Sequence, residues 1–416
     1  MFRRSHSRGF LTLVAIFLVS GCDFGKIITY QLEGPDAVEL VLRAVTPDTA
    51  VAQALGWSGV GVPGARVRLE LDDADGNTWT AEAVTDEAGL ASFAEVPVGS
   101  HAVSIERELS PEEREAASAQ GAVSLLVDDR IHVSAFSPVV EVLVPASVRR
   151  SLVISEFHFP VHLAANQVGS YYFGGFIELY NNADTTIYLD GKIIGQGFAV
   201  LVDMPPLQPC NVYSHVRADP GGIWSIVWER FPGSGTDHPL APGEAVVIAT
   251  DAIDHRPFAP SALDLRTADF EFRGQVDVDN PAVPDMIPDG LLPHPLNRGL
   301  LFSINGVAFV ADPVGTETLE RITPAPITRT YARVPVEKLL DVVVVFEVEE
   351  SSEFPLCHPV SHPSINRGIA PVARERSGLS VRRKVLTTLP DGRVVLQHTR
   401  TSSSDFYVGP PSPGAP

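Results

Sequence analysis

Glycine and proline break this chain too often for long helices. With 33 Gly and 35 Pro in 416 residues, a breaker falls roughly every six positions, whereas an average helix in a globular protein runs about 11 residues. Proline locks φ and lacks the amide hydrogen that a helix interior uses, and glycine loses more backbone entropy on ordering than any other residue. The runs left between breakers are short and rich in Val, Ile and Thr, whose branched Cβ suits a pleated surface. An all-β fold is the expectation. Alternation is clearest in Ala65-Arg66-Val67-Arg68-Leu69-Glu70-Leu71, whose apolar members share one face, and Asp75-Gly76 then supplies a tight hairpin turn.

The chain is longer than one hydrophobic core usually serves, so two domains are expected. The first, residues 31–146, holds strand candidates at 37–45, 65–71, 78–84, 90–93, 101–106 and 139–144. One helix is expected there. Ser110-Pro111-Glu112-Glu113 combines a capping box with proline at the first helical position, ahead of an alanine-rich run that Gly121 ends. The second domain, residues 151–408, starts near Leu152 and contains long Pro-rich additions at 203–239 and 251–299. Residues 22–30 read as a linker, and 409–416, Gly-Pro-Pro-Ser-Pro-Gly-Ala-Pro, as a disordered tail.

Three segments of the first domain, Val62-Pro63-Gly64-Ala65-Arg66-Val67, Thr85-Asp86-Glu87-Ala88-Gly89 and Val96-Pro97-Val98-Gly99-Ser100-His101, resemble the carboxypeptidase regulatory-like, or prealbumin-like, sandwich. That resemblance implies a scaffold module without a catalytic residue. In the second, Leu152-Val153-Ile154-Ser155-Glu156-Phe157, residues 175–182, 187–191 and 240–249 resemble the opening strands of a lamin-tail-type sandwich, and residues 300–310, 339–346, 380–384 and 401–406 its closing ones. The whole resembles an uncharacterised family of bacterial lipoproteins. It implies two β-sandwich (immunoglobulin-like) domains with long loop insertions in the second, and brings no activity.

Location is read from the first 22 residues, where Arg3, Arg4 and Arg8 precede the apolar run Phe10 to Val19 and then Val19-Ser20-Gly21-Cys22. This order reads as an export signal, residues 1–21. Its apolar run is well short of the roughly 20 helical residues that span a bilayer. The tetrad resembles a lipobox, which implies cleavage before Cys22, attachment of acyl chains such as palmitate to Cys22, and a lipid-anchored protein of the cell envelope, expected at the outer membrane. Cleavage removes three arginines and no acid, taking the formal net charge from -20 to -23. Such a surface repels nucleic acid phosphates. Of the remaining cysteines, Cys210 and Cys357 are either a disulfide or two buried thiols.

Candidate chemistry is sparse. Gly59-Val60-Gly61-Val62-Pro63-Gly64 has dinucleotide-site spacing but is followed by a strand instead of a helix. His158/His162 and His358/His362 have i, i+4 spacing, yet Pro160 and Pro359 argue against helix, and if extended the partners lie about 13 Å apart at 3.3 Å per residue. The acidic loop Asp277, Asp279, Asn280 and Asp285 could offer oxygen ligands to calcium, without an EF-hand register. Glu156 and Glu178 each interrupt an apolar strand start, as buried hydrogen-bond acceptors or, alternatively, as a catalytic pair. Among the aromatics, adjacent Tyr171 and Tyr172 point to opposite faces if extended, so one ring faces outward as a candidate ligand surface.

With no nucleophile elbow, no H-E-x-x-H and no phosphate loop, the reading is a non-enzymatic scaffold, adhesion or binding protein that presents loops to a protein or glycan, with no cofactor. The alternative is a cell-envelope hydrolase, calcium-dependent, with its site in the 251–299 insertion.

Overall fold

The computed structural model describes residues 11–13, 30–32, 37–72, 78–134, 136, 139–148, 152–159, 162–166, 169–197, 218–273, 278–291, 305–324, 329–346, 361–372 and 377–415. Cys22, Cys210, Cys357, Asp277, His358 and the Asp75-Gly76 turn lie outside them. The fold is all-β, in two compact units, Met1–Glu108 with Leu126–Val144 and Leu109–Leu125 with Pro145–Pro416. Among the described residues no helix is long and apolar enough to cross a membrane.

In the first unit Ala37–Val45 pairs antiparallel with Leu90–Pro97 and parallel with Val139–Leu143. A second sheet places Arg66–Asp72 between Thr78–Val84 and Gly99–Glu108, with residues 126–133 beyond. Alternate side chains are buried, among them Leu40, Leu42, Val67, Leu69, Val103 and Ile105, while Arg68 on the other face pairs with Glu70 at 2.6 Å. The expected hairpin forms, with Asp72 opposite Thr78. Gly61 has a packing role, because a Cβ there would sit 2.2 Å from the Ala88 carbonyl oxygen. Close backbone approach therefore explains this glycine, and a strand, Arg66–Asp72, follows it.

The capping box forms as read: Glu113 N–H donates to Ser110 Oγ at 3.2 Å and Ser110 N–H to Glu113 Oε2 at 2.8 Å. The helix is short, Pro111–Ala116, with no buried residue, and it clusters with the second unit. Ala122–Val133 was not expected as a strand, because Asp128-Asp129-Arg130 interrupts its apolar alternation.

The second unit packs two sheets face to face. One runs Phe270–Glu271, Ala245–Ala249, Phe176–Asn181, Leu152–His158, Ser380–Arg383, Phe406–Gly409; the other runs Arg321–Ile322, Tyr331–Pro335, Gly222–Arg230, Ile193–Gly197, Asn305–Ala311, Leu339–Phe346. Leu152, Ile154, Phe157, Ile177, Trp224, Val310, Val343 and Phe406 interlock in the core between them. All seven residues of 152–158 and all six of 176–181 are buried, so both faces of this sheet are covered. Its outer face meets the Val385–Thr388/Val394–Leu396 hairpin at Val153, Tyr180 and Leu396, and the 251–291 insertion at Phe176, Val247, Leu265 and Val283.

The tail expected to be disordered is instead placed. Residues 410–415 run back over the outer face, and the Ser412 and Gly414 N–H groups donate to Glu156 and Glu178. Two buried carboxylates attract donors that composition does not reveal.

Candidate functional site

A bulge at Ser155 builds the polar row on that outer face. The register between 152–158 and 176–181 shifts between Ile154 and Glu156, so Phe157 still reaches the core while Glu156 and His158 join Val153 on the outside. Glu156 thereby faces Glu178 on one side and Arg382 on the other. Like charges directly opposite are destabilising, the more so at 1 % and 0 % exposure.

Donors offset the cost. Ser155 Oγ–H donates to Glu178 Oε1 at 2.6 Å and Gly414 N–H to Glu178 Oε2 at 2.6 Å. Ser412 N–H reaches Glu156 Oε1 at 3.1 Å, its hydroxyl lies 3.0 Å from Oε2, and Arg382 Nε is 3.5 Å from Oε2. For Glu178 burial wins, pushing its carboxyl up to about 7 against the pull of Ser155 and Gly414. As expected from the sequence, both acids act as buried acceptors; that they oppose each other came only with the bulge.

The next row holds histidines. The 13 Å separation expected for His158 and His162 assumed one extended strand. His162 belongs instead to a separate pair, His162–Leu163 with Ser170–Tyr171, and the two ring centroids are 5.2 Å apart. Each Nδ1 meets a hydroxyl, His158 with Ser380 at 3.0 Å and His162 with Ser261 at 3.3 Å. Burial lowers both imidazoles, His158 to about 3 with the His162 charge adding to it, so both are neutral at physiological pH. His362 bonds locally to Ser364.

Tyr171 connects this row to the surface. Its hydroxyl lies 2.7 Å from His255 Nδ1, and His255 Nε2 lies 2.7 Å from the Asp251 carbonyl. A carbonyl can only accept, so Nε2 carries the proton and Nδ1 accepts from the tyrosine. Burial first, and then the Asp251 charge, raise the Tyr171 hydroxyl, which keeps it a donor. The Tyr171 ring stacks on Phe258 at 5.6 Å and 8°, with Phe173 at 5.7 Å. Phe258 is 50 % exposed, and Tyr172, the outward ring of the adjacent pair, is 42 % exposed. Beside Phe258, Arg256 bridges Asp254 at 2.7 Å and Asp264 at 2.8 Å, and Arg266 joins Asp264 at 2.7 Å.

Of the calcium candidates, Asp279 and Asp285 come together with Glu271, their carboxylate oxygens within 4.8 Å of one another. Asn280 does not join as a ligand. Its Nδ2 donates to the Ala252 carbonyl at 2.9 Å and its Oδ1 accepts from Ala282 N–H at 3.2 Å, which uses the side chain to shape the loop. Glu271 was missed because it lies in a two-residue strand away from the acidic run; its carboxylate accepts the Ala252 and Asn280 N–H groups at 2.9 and 3.0 Å.

A second missed constellation lies on the inner side. Arg383, 4 % exposed, bridges Asp341 and Asp405, donates to the Ile154 carbonyl at 2.7 Å and lies over the Phe406 ring at 4.3 Å. Burial raises Asp341, but Arg383 and His398 outweigh it and hold the carboxyl at about 2; for Asp405 burial prevails and the shift is upward. Asp341 and His398 also border a cavity of about 350 Å³ with Arg400 and Ser364.

One family model matches part of this chain. Residues 241–412 match the family described as a protein of unknown function, DUF4876. A crystal structure of a DUF4876 family protein from Bacteroides thetaiotaomicron is similar at TM-score 0.50 and 19 % identity, covering 89 % of this chain and 94 % of that one. At that identity the likeness is one of fold. A DUF3823 family protein from Parabacteroides merdae, at 14 % identity over 39 % of this chain and 66 % of the other, reaches only TM-score 0.18. (S)-allantoin synthase, at 15 % identity over 26 % of this chain and 40 % of the other, reaches 0.17. Neither carries an argument. No curated protein matches this chain.

Proposed function

We propose that this chain is a lipid-anchored, non-enzymatic protein of the bacterial cell envelope that binds a glycan at the Tyr171–Phe258 stack. The observation that carries the reading is a half-exposed aromatic face held rigid from below. Tyr171 is fixed through His255, itself 0 % exposed, and Phe258, which stacks on it, follows by two residues Arg256 of the Arg256–Asp254–Asp264–Arg266 network. Sugar rings offer apolar C–H faces that stack on aromatics and hydroxyls that bond to charged groups, and this surface supplies both. Anchoring through Cys22 rests on the lipobox resemblance, and the acidic balance speaks against nucleic acid as partner.

A glycan array probed with the purified chain, followed by calorimetry on the best oligosaccharide, tests this. Replacing Phe258 with Ala should weaken binding by about tenfold, the scale of one aromatic contact. Binding to no glycan, or binding that Phe258→Ala leaves unchanged, defeats the reading.

The hydrolase alternative has one observation in its favour, the convergence of Glu271, Asp279 and Asp285 inside the 251–299 segment. Stoichiometric calcium on the purified protein, together with glycan or ester turnover that chelation abolishes, would put it first.

A further inference from the structure

We propose that the outer-face row Glu178, Glu156 and Arg382 is a docking site for a peptide turn of Ser-x-Gly type, and that residues 411–415 of this chain occupy it in cis. It rests on the carboxylate row and is independent of the glycan reading.

The seated segment has the shape of a ligand. Ala415 N–H closes a turn onto the Ser412 carbonyl at 3.0 Å, and the turn directs the Ser412 N–H to Glu156 and the Gly414 N–H to Glu178. Arg382 Nη2 donates to the Ala415 carbonyl at 3.2 Å, so one end of the turn is read by carboxylates and the other by a guanidinium. Each residue type follows from that arrangement. Gly414 sits at φ +80, where a side chain is strained, and Ser412 adds a hydroxyl between Glu156 Oε2 and the Ala415 carbonyl.

What holds the segment differs from what holds the sandwich. Pro410, Pro411, Pro413, Gly414 and Ala415 are half-buried or exposed and offer no large side chain to the core. Attachment therefore rests on a few polar contacts, the condition under which a segment opens locally while the domain stays folded. The two acids left behind are buried and side by side, and they require donors from some source. Gly414 also borders a cavity of about 680 Å³ with Glu244, Ala245 and Asp269, so space for an incoming chain adjoins the site.

The test uses the full chain carrying Ser412→Glu, which sets a third carboxylate against Glu156 and expels the segment without touching either sheet. The probe is a fluorescein-labelled peptide of residues 409–416, Gly-Pro-Pro-Ser-Pro-Gly-Ala-Pro, read by fluorescence anisotropy. Ser412→Glu should bind it at least tenfold more tightly than the unaltered chain, whose site is filled, and adding Glu156→Gln should weaken that binding again. Equal titrations for the unaltered chain and Ser412→Glu, or no binding by Ser412→Glu, overturn the proposal. Should Glu156→Gln not fold, the same peptide with Glu in place of Ser serves as the control: binding as tight as that of the parent peptide counts against the proposal.

Discussion

At Glu178 burial and the neighbouring Glu156 charge oppose the Ser155 and Gly414 donors, and the outcome is a carboxyl raised from 4.5 to about 7. The folded chain then holds a proton that the unfolded chain releases between pH 4.5 and 7, so stability contributed by this residue falls as pH rises through that window and is lowest above it. The shift sets an upper bound of about 3 kcal/mol. Glu178→Gln should therefore raise the melting temperature more at pH 8 than at pH 4, and equal shifts at the two values would disprove the assignment. Nearby groups do not cancel the comparison. His158 titrates with the opposite sign, costing stability as pH falls below 6.5, while Glu156, Arg382 and Tyr180 are common to both proteins. The two glutamates were legible as unusual, since each breaks an apolar run, but their opposition depends on a one-residue bulge that no local pattern announces.

At the scale of elements, the strands read from the sequence included 37–45 and 78–84, short segments rich in β-branched, aromatic and other apolar residues and bounded by turn residues. The 222–230 strand shows the limit. Eight of its nine residues are buried, because the 224, 226 and 227 side chains enter one cluster and 223 and 228 another. Burial on both faces erases the period of two. The Arg383 bridge was equally invisible, since it joins 339–346, 380–383 and the Ser402–Asp405 turn across long stretches of chain. Asp341→Ala, which leaves Arg383 with one carboxylate partner and Ile154 N–H without an acceptor, should cost about 3 to 5 kcal/mol in chemical denaturation. Asp341→Asn keeps the acceptor and should cost less; a negligible effect of Asp341→Ala would show that the bridge does not hold these elements together.

For the molecule as a whole, the prediction concerns attachment. Two or more acyl chains bind a membrane stably, whereas one binds it marginally, so Cys22→Ala should abolish labelling by a fatty-acid probe and release the protein from the membrane fraction. Labelling that persists in Cys22→Ala would refute the lipobox assignment. What the residues alone determined was the class of fold, six strands of the first unit and the capped helix, because breakers, alternation and capping act within a few positions of the chain; the strands of the second unit were read only through a family resemblance. Only the tertiary structure decided that Glu156 meets Glu178, that His162 lies against His158, that Glu271 joins Asp279 and Asp285, and that the 410–415 segment is seated. Each of these depends on strand register or on chain reversal between residues distant in sequence, and there the cost of burying a polar group selects partners that composition cannot name.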